Sequence, residues 1–336
     1  MRYLESINQS LHQLLLEDDQ VILIGEDLHD PYGGAFKVTQ GLSSKFPGRV
    51  ISTPISEAAI TGAAVGMAMR GMKPILEIMF GDFLALCMDQ IVNHASKYKW
   101  MFNDQVSVPI IIRAPMGGGR GYGPTHSQSL ESMFMSVPGV TIAVPSIFND
   151  PGKMLKNFVD SSSDPVLFIE NKISYPKKLI LGESVGDFKI RRMNDPEGYE
   201  NVFLSMFPEE KEDFLIVTYG GMVEIAMQAA NEIFMEEEIL CSILICNNLK
   251  PIPMSILDFA KNANQVLILE EGNKIGGWGA ELSSVISENC FQFLDHPIIR
   301  IGAEDMPIPS SMTLESAVLP SVAKIKQTIT KLVHKS

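Results

Sequence analysis

The chain has no basic block, and its 27 lysines and arginines are outnumbered by 40 acidic residues, for a formal net charge of −13. Nucleic-acid binding needs cations to replace the counterions on phosphates, and a polybasic patch is what draws a protein to anionic lipid, so the charge pattern argues against both partners. No apolar run reaches the roughly 20 residues that cross a bilayer. The most apolar stretch, Ala58 to Met69, stops well short of that. The opening MRYLESINQSLHQLLLEDD is polar and acidic, without the order of a signal peptide or the arginine-rich character of a transit peptide. Cysteine is scarce. The nearest two of Cys87, Cys241, Cys246 and Cys290 do not form CxxC, and no histidine or further cysteine stands at zinc-ligand spacing. They read as reduced core residues of a cytoplasmic protein, and no metal site is expected on this chain. The phosphate fingerprints GxxxxGK[ST] and GxGxxG are also missing.

What is present is a globular composition, 46% hydrophobic and 20% charged over 336 residues, enough for two domains of ordinary size. Short apolar runs alternate with longer helix-period segments. Strands are expected at Val21–Glu26, Val50–Thr53, Pro74–Met79, Pro109–Arg113, Thr141–Val144 and Val166–Glu170, with helices at 57–70, 82–99 and 150–161. From Ser174 to Asp213 the pattern becomes mixed and charged, which reads as an inter-domain connection with some local structure. It then resumes, with strands at Phe214–Thr218, Leu240–Ile245, Gln265–Leu269 and Ile298–Ile301 and helices at 222–237, 253–262, 277–288 and 320–335. The βαβα order predicts two tandem doubly wound α/β domains, 1–175 and 213–336, joined by 176–212.

Three segments carry chemistry. In STPISEAAITGAAVGMAM the only charged side chain is Glu57, after a potential N-cap at Ser56. A carboxylate in a first turn is favoured by the helix dipole alone. Yet Gly62 and Gly66 lie four apart among alanines, and glycine inside a helix is worth its destabilisation where another backbone must approach closely. Such a helix suggests a tight interface, with its first turn at the carboxyl ends of the strands, where α/β sheets place ligands. A buried carboxylate there can share a proton with a ligand nitrogen. In GGGRGYGPTHSQSLE, five glycines between 117 and 123 make a loop with little intrinsic shape, followed by His126. That histidine is either a hydrogen-bonded bystander or an imidazole delivered to a cleft. In EIMFGDFLALCMDQIVNHASKYKWMF, Phe83 is either core or a flat platform for a heteroaromatic ring.

In this order the segments resemble the beta subunit of thiamine-diphosphate-dependent 2-oxo acid dehydrogenases, the pyruvate and branched-chain family. The similarity extends through DQIVNHASKY, HSQSLESMFMSVPGV, TYGGMVEIAMQAA, LILEEGNKIGGWGAEL and RIGAEDMPIPSSMTLESAVLP. It implies a transketolase-like pyrimidine-binding domain followed by a transketolase C-terminal-type domain. It also implies that Glu57 bonds the pyrimidine N1′ of thiamine diphosphate and drives formation of the ylid that attacks a 2-oxo acid. Ile55 and Met79 match residues beside the ring, Phe83 the aromatic stacked on it, and His126 the histidine that assists substrate steps and acyl transfer to lipoamide. The family's diphosphate and Mg²⁺ motif, GDG with a later Asn, is not found: Gly81-Asp82 and Gly186-Asp187 are each followed by Phe. The resemblance puts that motif on an alpha subunit in an α2β2 assembly that works with a lipoyl-bearing acyltransferase. Arg120, Tyr122 and Pro124 add bulk to the glycine loop, and Ile245 and Asn247 stand where relatives carry Asp and Arg. A related two-subunit carboligase of acetoin or biosynthetic type, and a non-catalytic scaffold subunit, are the alternatives.

Overall fold

The computed structural model describes residues 1–194, 199–263 and 265–333. The chain divides into two units, Met1–Met116 with Met133–Leu179, and Gly117–Ser132 with the chain from Ile180 onward.

The first unit opens with helix α1 (Tyr3–Glu17), whose buried Tyr3, Ile7, Leu11, Leu14 and Leu15 recur at helical spacing. Strand β1 (Val21–Glu26), a short helix α2 (Leu42–Lys45), β2 (Val50–Thr53), α3 (Glu57–Met69) and β3 (Lys73–Glu77) follow. After α4 (Ser96–Met101) come β4 (Ile111–Met116), β5 (Thr141–Ala143), α5 (Pro151–Ser161) and β6 (Val166–Asn171). Within this unit the strands lie in the order β5-β6-β4-β3-β1-β2, every pair parallel. β1 therefore sits between β2 and β3, and the chain reverses its direction of winding there. An open parallel sheet leaves a crevice at the carboxyl ends of such strands.

The second unit contains β7 (Ser184–Val185), β8 (Phe188–Asn194), β9 (Glu200–Ser205), β10 (Phe214–Thr218), α6 (Met222–Glu237), β11 (Cys241–Ile245), β12 (Asn248–Lys250) and α7 (Ile256–Ala263). It continues through β13 (Val266–Asn273), α8 (Trp278–Cys290), β14 (Ile299–Ala303), α9 (Met312–Val318) and α10 (Val322–Val333). Its sheet runs β14-β13-β10-β11-β9-β8-β7. The first four strands are parallel and the last three antiparallel. The winding reverses at β10, between β11 and β13.

Several expectations change. The segment read as a connection builds β7, β8 and β9, an integral antiparallel extension of the second sheet, although 195–198 lie outside the described residues. β8 is half-exposed, so its lysine and arginines alternate with Phe188 and Ile190 and disguise the strand as a charged linker. The helix expected over 82–99 is a composite of a 3-10 segment at Gly81–Cys87, a π-helical segment at Gln90–Ala95 and α4. Gly81 is pinned under Met116, since a Cβ there would stand 2.1 Å from Met116 Cγ. Helix α1 and the short α9 have no counterpart in the expected elements. Positions 334 and 335 of the last expected helix lie outside the described residues.

Candidate active site

At the winding reversal of the first sheet two carboxylates meet. Glu26 ends β1 and Glu57 opens α3, and both are buried. Ser56 occupies the N-cap position, but its side chain does not cap the helix. Its backbone N–H instead donates to Glu26 Oε1 at 3.2 Å, which ties the entry of α3 to the end of β1. Burial, and then the charge of Glu57, pushes the Glu26 carboxyl above its ordinary range. Thr61 turns its hydroxyl back onto Glu57 O at 2.7 Å. Cys87 stands within electrostatic reach of both acids, and burial pushes its thiol up to about 12, so it is inert. Its Sγ contacts Phe83 O at 3.7 Å, which links the 3-10 segment to the acid pair. Phe83 is half-buried and closes a run of rings, Tyr3–Tyr175–Phe36–Phe80–Phe83, with adjacent centroids 5.2–6.0 Å apart.

Beside this lies a buried network that the sequence analysis missed. Arg113 in β4 is fully buried and donates from Nη1 to Glu77 at 2.6 Å, and from Nε and Nη2 to the two Glu170 oxygens at 2.7 and 2.9 Å. Tyr175 donates to Glu170 at 2.7 Å. One cation serves two carboxylates. Burial therefore leaves Glu77 above its usual range, while the two acids hold Arg113 charged against desolvation. The signal was in the sequence: β1, β3 and β6 are apolar runs that close on Glu26, Glu77 and Glu170.

His126 lies in the second unit, on the glycine loop. Thr125 Oγ1 is 2.9 Å from its Nδ1, and its backbone N–H donates to Gly123 O at 3.3 Å. The loop is not shapeless. Gly118 N–H donates to Glu271 Oε1 at 2.6 Å, and Gly119 and Gly121 donate to the two Glu315 oxygens at 2.9 and 2.8 Å. This is an anion nest filled by the protein's own carboxylate. Around the reversal of the second sheet, Tyr219 donates to Glu131, whose carboxyl burial holds above its ordinary range. Burial pushes Glu270 up to about 7, opposed by the Gly279 N–H that donates to it at 3.0 Å. Gly277 and Gly279 make room for that carboxylate, since a Cβ at either would lie 2.4 or 2.6 Å from its oxygens.

Of the residues singled out from sequence, Ile55, Glu57, Met79 and Phe83 all belong to the first unit. Glu57 is buried, Met79 and Phe83 are half-buried, and Ile55 is 77% exposed, a large aliphatic side chain with nothing of this unit over it. Helix α3 also turns Ala59, Ala63 and Gly66 to the surface, and Gly66 faces open space. Among the described residues no group of three or more His, Cys, Asp or Glu could hold a metal. No helix among them is long and apolar enough to cross a membrane.

Residues 1–178 match the family described as transketolase, pyrimidine binding domain, and residues 206–325 match transketolase, C-terminal domain. The chain is 35% identical to 2-oxoisovalerate dehydrogenase subunit beta of Bacillus subtilis (strain 168), over 99% of both chains. It is 33% identical to acetoin:2,6-dichlorophenolindophenol oxidoreductase subunit beta of Cupriavidus necator, over 95% of this chain and 94% of that one. A solved split-gene transketolase, an inactive beta4 tetramer, superposes with a TM-score of 0.71 at 19% identity, covering 98% of this chain and 97% of that one.

Proposed function

Because this chain belongs to the beta subunits of thiamine-diphosphate-dependent 2-oxo acid dehydrogenases, we propose that it supplies half of an active site that decarboxylates a 2-oxo acid and passes the acyl group to a lipoyl carrier. Its partners are an alpha subunit, in an α2β2 assembly, and a lipoyl-bearing acyltransferase. On this reading residues 1–175 hold the pyrimidine end of the cofactor, and the alpha subunit holds Mg²⁺ and the diphosphate. The four cysteines are buried free thiols, which suits the cytoplasm.

The residues at the first winding reversal fit that cofactor. A buried carboxylate facing a second carboxylate calls for a ligand nitrogen that can share a proton, and the exposed Ile55 with half-buried Met79 and Phe83 offers apolar cover for a flat ring. When bound, thiamine diphosphate supplies the carbon nucleophile that no amino-acid side chain provides. Glu57 holds the proton shared with the pyrimidine nitrogen. Glu26 fixes the entry of α3 through Ser56 N–H, and burial followed by the charge of Glu57 raises its proton affinity. Phe83 and Ile55 bound the ring, and His126 serves as acid–base group for the acyl steps. The exposed apolar face of α3, with Leu86 and Trp100 in the same unit 56% and 84% exposed, supports burial against a partner chain.

The pair Glu26–Glu57 is the observation that carries this reading. The test is Glu57→Ala in the enzyme co-produced with its alpha subunit. Activity falls by roughly a hundredfold or more, as expected when a positioned proton-transfer group is lost, while the assembly keeps its size in solution. Wild-type turnover in that variant overturns the mechanism, and turnover by the isolated chain removes the need for a partner. The similarity to the acetoin oxidoreductase subunit favours one second reading, a different acceptor for the activated aldehyde. Activity with dye and none with lipoyl domain would select it.

A further inference from the structure

We infer that Glu271 and Glu315 are positioning residues that set the glycine loop, and through it the imidazole of His126. This rests on the reading of His126 as the acid–base group of the acyl steps.

The bonds themselves are the first argument. Two carboxylates from separate elements, β13 and α9, take three backbone N–H groups of one short loop at 2.6, 2.9 and 2.8 Å. Hydrogen bonds to an ionised acceptor are the strong class. Glu315 is 1% exposed, and among the described residues this unit has no buried lysine or arginine. The loop N–H groups are thus the solvation of Glu315, and Glu315 is the shape of the loop.

The fit of the loop is the second. A Cβ at Gly118 would stand 2.7 Å from Leu319 Cδ1 and 3.0 Å from Glu315 Oε1. At Gly123, where φ is +82°, it would stand 2.6 Å from Ser310 Oγ. Leu319 and Val318 pack with Ala303 and Ile308, so α9 is a shelf anchored to β14. His126 bonds back to Gly123 through its own N–H and so inherits its place from the docked loop. Without the two carboxylates, five glycines would sample a wide range of backbone states. The nest is closed to an outside phosphate as well, because Glu315 already fills it.

The experiment uses the assembled enzyme with its alpha subunit, in the wild type and in Glu315→Gln, Glu271→Gln, His126→Ala and the double variant Glu315→Gln/His126→Ala. Glutamine keeps the shape, but at 315 its NH2 must face one of the two glycine N–H groups, and at 271 the bond to Gly118 N–H loses the charge of its acceptor. Hydrogen exchange across 117–126 is expected to quicken roughly tenfold in each glutamine variant, the size of losing one charge-assisted bond. Acyl transfer to a lipoyl domain is expected to fall about tenfold while KM for the 2-oxo acid holds, and the double variant is expected to be no slower than His126→Ala, as for groups acting as one unit. Unchanged exchange in both glutamine variants overturns the clamp whatever happens to activity. An equal loss in the His126→Ala background shows that Glu315 acts by another route and overturns the assignment. Wild-type acyl transfer by His126→Ala removes the role of that histidine, and with it any positioning function, while exchange still reports separately on the clamp. Glu271→Gln touches a different glycine from another element, so a variant that disturbs only the α9 shelf is told apart from loss of the clamp.

Discussion

Both sheets gather acidic side chains where their winding reverses, but they stabilise them differently. In the first unit Arg113 is buried with Glu77 and Glu170 in a bonded ionic network, while buried Glu26 feels the charge of Glu57. In the second, Glu131, Glu270 and Glu315 are buried, and among the described residues of that unit no lysine or arginine is buried with them, although the charge of Arg300 reaches Glu270. Backbone N–H groups of glycines and the phenol of Tyr219 solvate them instead. A dedicated cation gives the first unit's acids charge-assisted bonds. In the second unit burial raises the proton affinity of Glu131 and Glu270, and the glycine loop takes its shape from bonds to Glu271 and Glu315.

The contrast is sharpest at Arg113. Arg113→Met strands two buried carboxylates and should cost roughly 3–5 kcal/mol, read by denaturant unfolding. A loss under about 1 kcal/mol would mean that the first unit solvates its acids as the second does, and the distinction would dissolve.

The second unit is probed next through Glu270. Its folded-state pKa, about 7, lies above the ordinary carboxylate value, so the folded chain binds the extra proton. Its contribution is fully present below the unfolded value near 4.5 and is lost as pH rises through about 7. The difference corresponds to about 3 kcal/mol at 1.36 kcal/mol per unit. Glu270→Gln should flatten that decline relative to wild type in unfolding curves taken between acid and neutral pH. Identical pH dependence in the two proteins would exclude Glu270 as its source.

The smallest effect belongs to the surface helix. Gly66 faces open space, so Gly66→Ala should raise the stability of the isolated chain by about 0.5–1 kcal/mol. If the proposed interface is right, the same change should weaken association with the alpha subunit in sedimentation, because a methyl group is added to that face. A gain in both would show that this face is not the interface.

Much of this was legible in the chain. Val21–Glu26, Val50–Thr53, Phe214–Thr218 and helix 222–237 fall where their apolar patterns put them, since a buried strand or an amphipathic helix is written in local spacing. The segment 82–99 was not legible as it folds. Its buried Leu84, Cys87, Ile91 and Ala95 recur every three or four residues, which an α-helix and a 3-10/π composite share. Strand β8 was hidden because an outer strand with a wet face carries charge, here at Lys189, Arg191 and Arg192. Ser56 has a capping side chain in the right place, and nothing nearby in the chain foretells that Glu26 takes its N–H instead.

By itself the sequence determined the buried strand runs and that Glu26 and Glu170 stand at the carboxyl ends of two of them, because burial along a strand is set by neighbours in the chain. Only the tertiary structure decided what those acids touch. Arg113 reaches Glu170 across 57 residues, and Gly119 reaches Glu315 across 196. Such bonds depend on the order of strands within a sheet and on where a loop docks, and hydrophobic periodicity carries no record of either.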